Sequence, residues 1–293
     1  MSKTAQMVVL LAILVLIWGV SWPVMAEGLK FCPPIWFVVI RLAIAITVIF
    51  GVFACTKQLV MPIKKDIPLL LSIGLLQIGF FTLLITVGLE YVAPGRSAII
   101  AYLSPFFVTP IALVFFKEVL SNGKILGLIL GAIGIALLFS PWELDWHDKN
   151  VLLGNGLLLL SALVWSAAMI HTRYTEWHRE THELLPWQFV VGFIPNIIIA
   201  LIWMPHPVIQ WSAPMLWFSL LYNAILASLV AYWLLVTITR HLPVITTSLG
   251  LLGVPVLGLL ASALFIGEPL TLSILTSLGF IIAGLACVSV AKN

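Results

Sequence analysis

Few residues in this 293-residue chain could do chemistry. The charged candidates inside or beside its apolar stretches are Arg41 and the acids Glu27, Asp66, Glu90, Glu118 and Glu268. The neutral polar candidates are the amides Gln77 and Asn223 and the phenols Tyr102 and Tyr232. All six histidines fall in loops or at helix ends, no His/Asp/Glu group has metal-ligand spacing, and no nucleophile sits beside a base within one stretch. The three cysteines, Cys32, Cys55 and Cys287, have no ligand spacing and read as small apolar residues. No catalytic residue, metal or cofactor is expected. What these side chains can do is recognise a solute.

Two residues stand out for that task. Trp18 and Trp165 lie nearer the middle of their stretches than the other tryptophans, on opposite sides of the midplane, where their faces could sandwich an amphipathic body or pack helices together. Gln77, Tyr102, Asn223 and Tyr232 would be costly facing lipid, so they should face other helices or a wet cavity. Gln77 and Asn223 occupy corresponding stretches and read as solute-orienting amides. Ser228 and Ser248 read as bonded to their own backbone or to a neighbouring helix and are set outside the site. Arg41 either snorkels outward, pairs with Glu27 or Glu90, or takes an anion of the solute. Glu118 and Glu268 each stand three residues before Ser121 or Thr271, a helix N-cap position, and read as structural turns.

The elements that must position these groups follow from composition. The chain is 62% apolar and 9% charged, against about 25% charged in soluble domains. That excludes a soluble enzyme, a disulfide-stapled module and a disordered chain. A net charge of +3 with scattered basic residues excludes a nucleic-acid binder. Apolar stretches fall at about 5–26, 34–55, 67–89, 94–116, 122–140, 151–171, 186–203, 214–237, 244–266 and 272–291, which makes ten expected spans. The first exceeds the length of a signal-peptide core and reads as a retained helix. With the N-terminus inside, Lys3, Lys57, Lys64, Lys65, Lys117, Lys124, Arg173, Arg179, Arg240 and Lys292 fall on the inner side, against Lys30, Arg96 and Lys149 outside. Both termini are therefore expected in the cytoplasm.

The spans repeat. At an offset of 150, Pro105 falls on Pro255, Glu118 on Glu268 and Gly134 on Gly284; Trp18 meets Trp165 at an offset of 147. Trp36-Phe37-Val38-Val39 matches Trp187-Gln188-Phe189-Val190-Val191 and sets Arg41 opposite Gly192 or Phe193. The expected halves are 1–140 and 151–293. Five spans in each would make the second copy enter the bilayer from the opposite side, an inverted repeat suited to alternating access.

On Trp18-Gly19, Pro33-Pro34 with Arg41, Pro105, Glu118-Val119-Leu120-Ser121 and the Gly127, Gly131, Gly134 series, the chain resembles the EamA family of the drug/metabolite transporter superfamily. Gly154, Trp165-Ser166, Pro243-Val244, Pro255 and Gly267-Glu268-Pro269-Leu270-Thr271 carry the likeness through the second half. The resemblance implies an all-α integral membrane carrier of ten helices with a central cavity lined by helices 1, 3, 4, 6, 8 and 9. It also implies transport, often export, of amino acids, other metabolites or drugs. The expected partners are a small solute and the bilayer, with the protein a monomer or a homodimer in a bacterial inner (plasma) membrane. Organic-cation efflux is the alternative, opposed by the lack of an acid in helix 1 before Glu27; an intramembrane enzyme is a further one.

Overall fold

A computed structural model describes residues 3–117, 120–139, 147–267 and 272–290, and all regular structure among them is helical. The helices are α1 (Lys3–Leu29), α2 (Pro34–Thr56), α3 (Lys64–Gly88), α4 (Pro94–Phe116) and α5 (Asn122–Phe139). After them come α6 (Lys149–Tyr174), α7 (Thr181–Trp203), α8 (Pro214–His241), α9 (Val244–Ile266) and α10 (Leu272–Val290). In a hydrocarbon layer the backbone must satisfy its own hydrogen bonds, which a continuous apolar helix does within itself. Pro34, Pro94 and Pro214 open their helices, where a missing N–H costs nothing.

Among the described residues, eight helices are long and apolar enough to cross a bilayer: α1 to α4 and α6 to α9. The apolar runs in α5 and α10, Asn122–Leu137 and Leu275–Gly284, are shorter. These two pack along one another. A Cβ at Gly134 would stand 2.6 Å from Ile281 Cγ1, and one at Gly284 2.8 Å from the Gly127 carbonyl. Glycine is what lets the two backbones approach, as at small-residue interfaces within membranes. α7 starts five residues before the expected boundary and runs through Pro186 and Pro195, because Glu180 and Glu183 cap its first turn.

Two helices change pitch in mid-course. α3 is π-helical over Ser72–Phe80, and α8 over Tyr222–Val230, the same positions at an offset of 150. α4 and α9 are each broken, into Pro94–Ala101 with Ser104–Phe116 and into Val244–Gly250 with Gly253–Ile266. Both end on a left-handed residue, Lys117 and Gly267.

Polar contacts gather at the ends of the bundle. At one end Arg179 faces Asp66 at 3.8 Å, and Arg240 bonds Thr181, meets Glu180 at 3.4 Å and lies over the Trp177 ring. At the other, Trp36 donates to the Met204 carbonyl and Gln210 N to the Phe31 carbonyl. The sides between are studded with exposed apolar residues, including Val114, Phe115, Leu264 and Phe265. A surface of that kind belongs in lipid.

Candidate functional site

The site starts on α1. Trp18, Ser21, Trp22 and Met25 recur at the spacing of one helix face and line a cavity inside the bundle. α3 adds Phe81, Thr82 and Ile85; α8 adds Asn223, Ala227 and Tyr232; Arg41 comes from α2 and Tyr102 from α4. The free volume is about 30 Å³, room for about one water. The cavity is therefore closed around its own side chains. A larger recess of about 250 Å³ between α4 and α5 is lined by apolar residues such as Leu103, Phe106 and Ile135, with no polar side chain to orient a ligand.

The two π segments tie the aromatic wall in place. Trp18 Nε1 donates to the Ala227 carbonyl at 2.9 Å, and the Tyr232 hydroxyl donates to the Gln77 carbonyl at 2.6 Å. Gln77 and Ala227 hold the same place in the two segments. A π turn shifts the helical ladder and turns carbonyls toward outside donors, and an aromatic donor takes one in each half. Trp18 packs edge-on against Tyr232 at 5.9 Å and Trp165 at 5.4 Å, while Trp22 lies 6.4 Å from Tyr102.

Of the residues expected at the site, Trp18, Tyr102, Asn223 and Tyr232 line the cavity together with Arg41. Trp165 stands behind the wall, 1% exposed, against Phe81, Trp18 and Tyr232. The Gln77 side chain is buried away from the cavity, and its backbone carbonyl is what reaches Tyr232. Asn223 turns its amide N–H onto the Ser219 carbonyl of its own helix at 2.9 Å.

The pairing of Arg41 with Glu27 or Glu90 is corrected. Glu27 pairs locally with Lys30 at 2.6 Å, and Glu90 is exposed in the turn after α3. Partial desolvation there holds the Glu90 carboxyl above its ordinary pKa. Arg41, 5% exposed, instead sends Nη2 to Ser228 Oγ at 2.8 Å and Nη1 toward Met25 Sδ at 3.9 Å. Glu118 and Glu268 lie outside the described residues. Burial in the α1–α2 turn pushes the Cys32 thiol up to about 12, which leaves it unreactive.

The sequence sets Ser228 outside the site because a small hydroxyl bonds its own backbone or a neighbouring helix. It does so, donating to the Asn223 carbonyl at 2.7 Å, but its oxygen also receives Arg41. Trp22, Met25, Phe81 and Thr82 were not singled out either. The spacing of Trp18, Ser21, Trp22 and Met25 could have marked the α1 residues; the α3 residues carry no such mark.

The described geometry is a buried, closed chamber of aromatic rings and a few polar groups, with one cation and no nucleophile–base pair. A family model described as the EamA-like transporter family matches residues 6–140 and again 152–290. The uncharacterized transporter YoaV of Bacillus subtilis is 26% identical over 275 residues, covering 92% of each chain. A protein of Salmonella typhimurium named "Probable amino-acid metabolite efflux pump" is 26% identical over 283 residues, covering 93% of this chain and 91% of its own. One crystal structure superposes with a TM-score of 0.75 at 15% identity, covering 97% of this chain and 96% of the other, a likeness of fold alone.

Proposed function

The chain belongs to the EamA-like transporter family, and on that premise we propose that it is a secondary carrier exporting small amphipathic metabolites, amino acids foremost, by alternating access. It is an integral membrane protein. In this reading α5 and α10 complete ten spans, the halves 1–140 and 151–293 are inverted copies, and both termini face the cytoplasm of a bacterial plasma membrane. The basic residues at one end of the bundle support that orientation. The name of the Salmonella relative supports export of amino-acid metabolites.

One observation carries the proposal: the chamber is assembled from both halves, with Trp18, Trp22, Arg41 and Tyr102 from the first and Asn223 and Tyr232 from the second. A site between two repeats can be exposed to either side by rocking one against the other. Its rings supply an apolar face and its amide, hydroxyls and guanidinium the orienting contacts. The free volume of about 30 Å³ is far below the roughly 300 Å³ or more of solute pockets, so in this reading the halves part to admit a solute.

The test is purified protein in sealed liposomes, offered labelled amino acids, nucleosides and quaternary amines. Amino acids should cross unchanged and down their own gradient with no imposed pH difference, since the chamber is lined by no carboxylate or histidine that could carry a proton. Chemically altered product would overturn the carrier reading. Accumulation driven by an inside-acid gradient and abolished by Glu90→Gln would overturn the uncoupled mechanism.

A further inference from the structure

We infer that Arg41 is the anion-receiving group of the chamber, so that the transported solute carries a carboxylate. The inference rests on the carrier reading and names the chemistry of its solute.

A guanidinium held in a low-dielectric interior is expensive unless a carboxylate faces it. Arg41 has none. The ion pairs among the described residues join Lys30 to Glu27, His178 to Glu176, Arg179 to Asp66 and Arg240 to Glu180. Arg41 has only two neutral acceptors, a hydroxyl and a thioether, and its Nε has no hydrogen-bond partner. Five N–H donors in a planar fork are thus left with weak and incomplete partners. Ser228, the better of them, gives its own proton to the Asn223 carbonyl and accepts from Arg41 as a neutral hydroxyl oxygen, which leaves the guanidinium charge unmatched.

The same guanidinium lines the chamber, and no acidic residue lines it. A solute carboxylate entering there would supply the bidentate acceptor that the protein withholds, while Trp18, Trp22 and Tyr232 cover an apolar body. An organic cation would meet an uncompensated positive charge. Packing does not demand the arginine. The repeat sets Gly192 or Phe193 opposite it; at Gly192 the Cβ position lies 2.9 Å from Ile78 Cγ2, and Ile78 is the mate of Ser228 at the offset of 150. The fold closes that contact with no side chain.

The experiment measures binding by intrinsic tryptophan fluorescence in detergent and, separately, counterflow in liposomes, with four matched probes. These are leucine, 4-methylpentanoate, leucinamide and isoamylamine. The two carboxylates should bind the wild type at least about tenfold more tightly than the amide and the amine, the scale of one charged hydrogen bond. Arg41→Gln should erase that preference, and Arg41→Lys should keep its direction with weaker affinity, since charge remains and the fork is lost. Size-exclusion elution and thermal midpoint establish that each variant folds; where Arg41→Gln does not, Arg41→Lys decides. Equal binding of all four probes by the wild type, no carboxylate binding, or a preference of undiminished size in the folded variants would overturn the inference. Carboxylates that bind in an Arg41-dependent way yet never cross the membrane would uphold Arg41 as the anion-receiving group, overturn carboxylates as the transported solute and count against the carrier reading.

Discussion

Where α2 meets α8 an arginine stands between the helices, and where α7 meets α3 a glycine does. At the first contact Arg41 reaches Ser228, and the space around it is the chamber. At the second, a Cβ on Gly192 would lie 2.6 Å from the Gly74 carbonyl, so the backbones touch and leave no room between them. Two contacts at matching places in the repeat thus differ: one packs backbone on backbone, the other sets a cation beside the chamber. The difference teaches that a twofold design does not require a twofold site. Symmetry supplies the paired π segments, and one non-equivalent residue decides on which side the charge stands.

The largest expected effect separates the two central tryptophans. Trp165→Ala removes a fully buried ring and should cost about 3–5 kcal/mol, read as a lowered thermal midpoint in detergent. Trp18→Ala should lose less stability and more transport, because its ring faces the chamber. Equal loss on both measures would mean that wall and backing are not distinct.

Next comes the packing contact. Gly192→Ala should destabilise by about 1–3 kcal/mol through forced separation of α3 and α7. An unchanged midpoint would show that the close approach is not what distinguishes the halves.

The paired carbonyls offer a finer test. Tyr232→Phe deletes one donor to a π segment and should cost about 1 kcal/mol; Trp18→Phe deletes the other and also shrinks a buried ring, so it should cost more, each with a matching fall in counterflow. A loss confined to one of them would show that only one segment needs its aromatic tie. The smallest effect is at the helix ends. Lys117 holds φ 52 where its mate Gly267 holds φ 74. Lys117→Gly should relieve the left-handed strain and leave stability within about 1 kcal/mol of wild type.

Much of this was legible in the residues. The starts of α2, α4 and α8 fall on Pro34, Pro94 and Pro214, because proline is favoured in the first helical turn, where its missing N–H costs nothing. The offset of 150 that aligns Pro105 with Pro255 also aligns the π segments, which no residue pattern announced. Depth points Trp165 to the cavity, and depth with the repeat points Gln77 there, yet neither says toward which neighbour a side chain turns. Ser228 makes both bonds the sequence allows a small hydroxyl, to its own backbone and to a neighbouring helix, and the second is what brings it to Arg41.

What the sequence by itself determined is whatever depends on transfer from water and on local backbone chemistry: apolar runs, their ends and their repetition. Only the tertiary structure decided which polar groups share a chamber. Its members stand on five helices far apart in the chain, and contact across such separations is set by how whole helices pack. Trp18 on Ala227 and Arg41 on Ser228 are contacts of that kind. The sequence left Arg41 to snorkel, to pair with Glu27 or Glu90, or to take a solute anion; the fold buries it against Ser228 and Met25, with no acid beside it among the described residues, and no local pattern could say so.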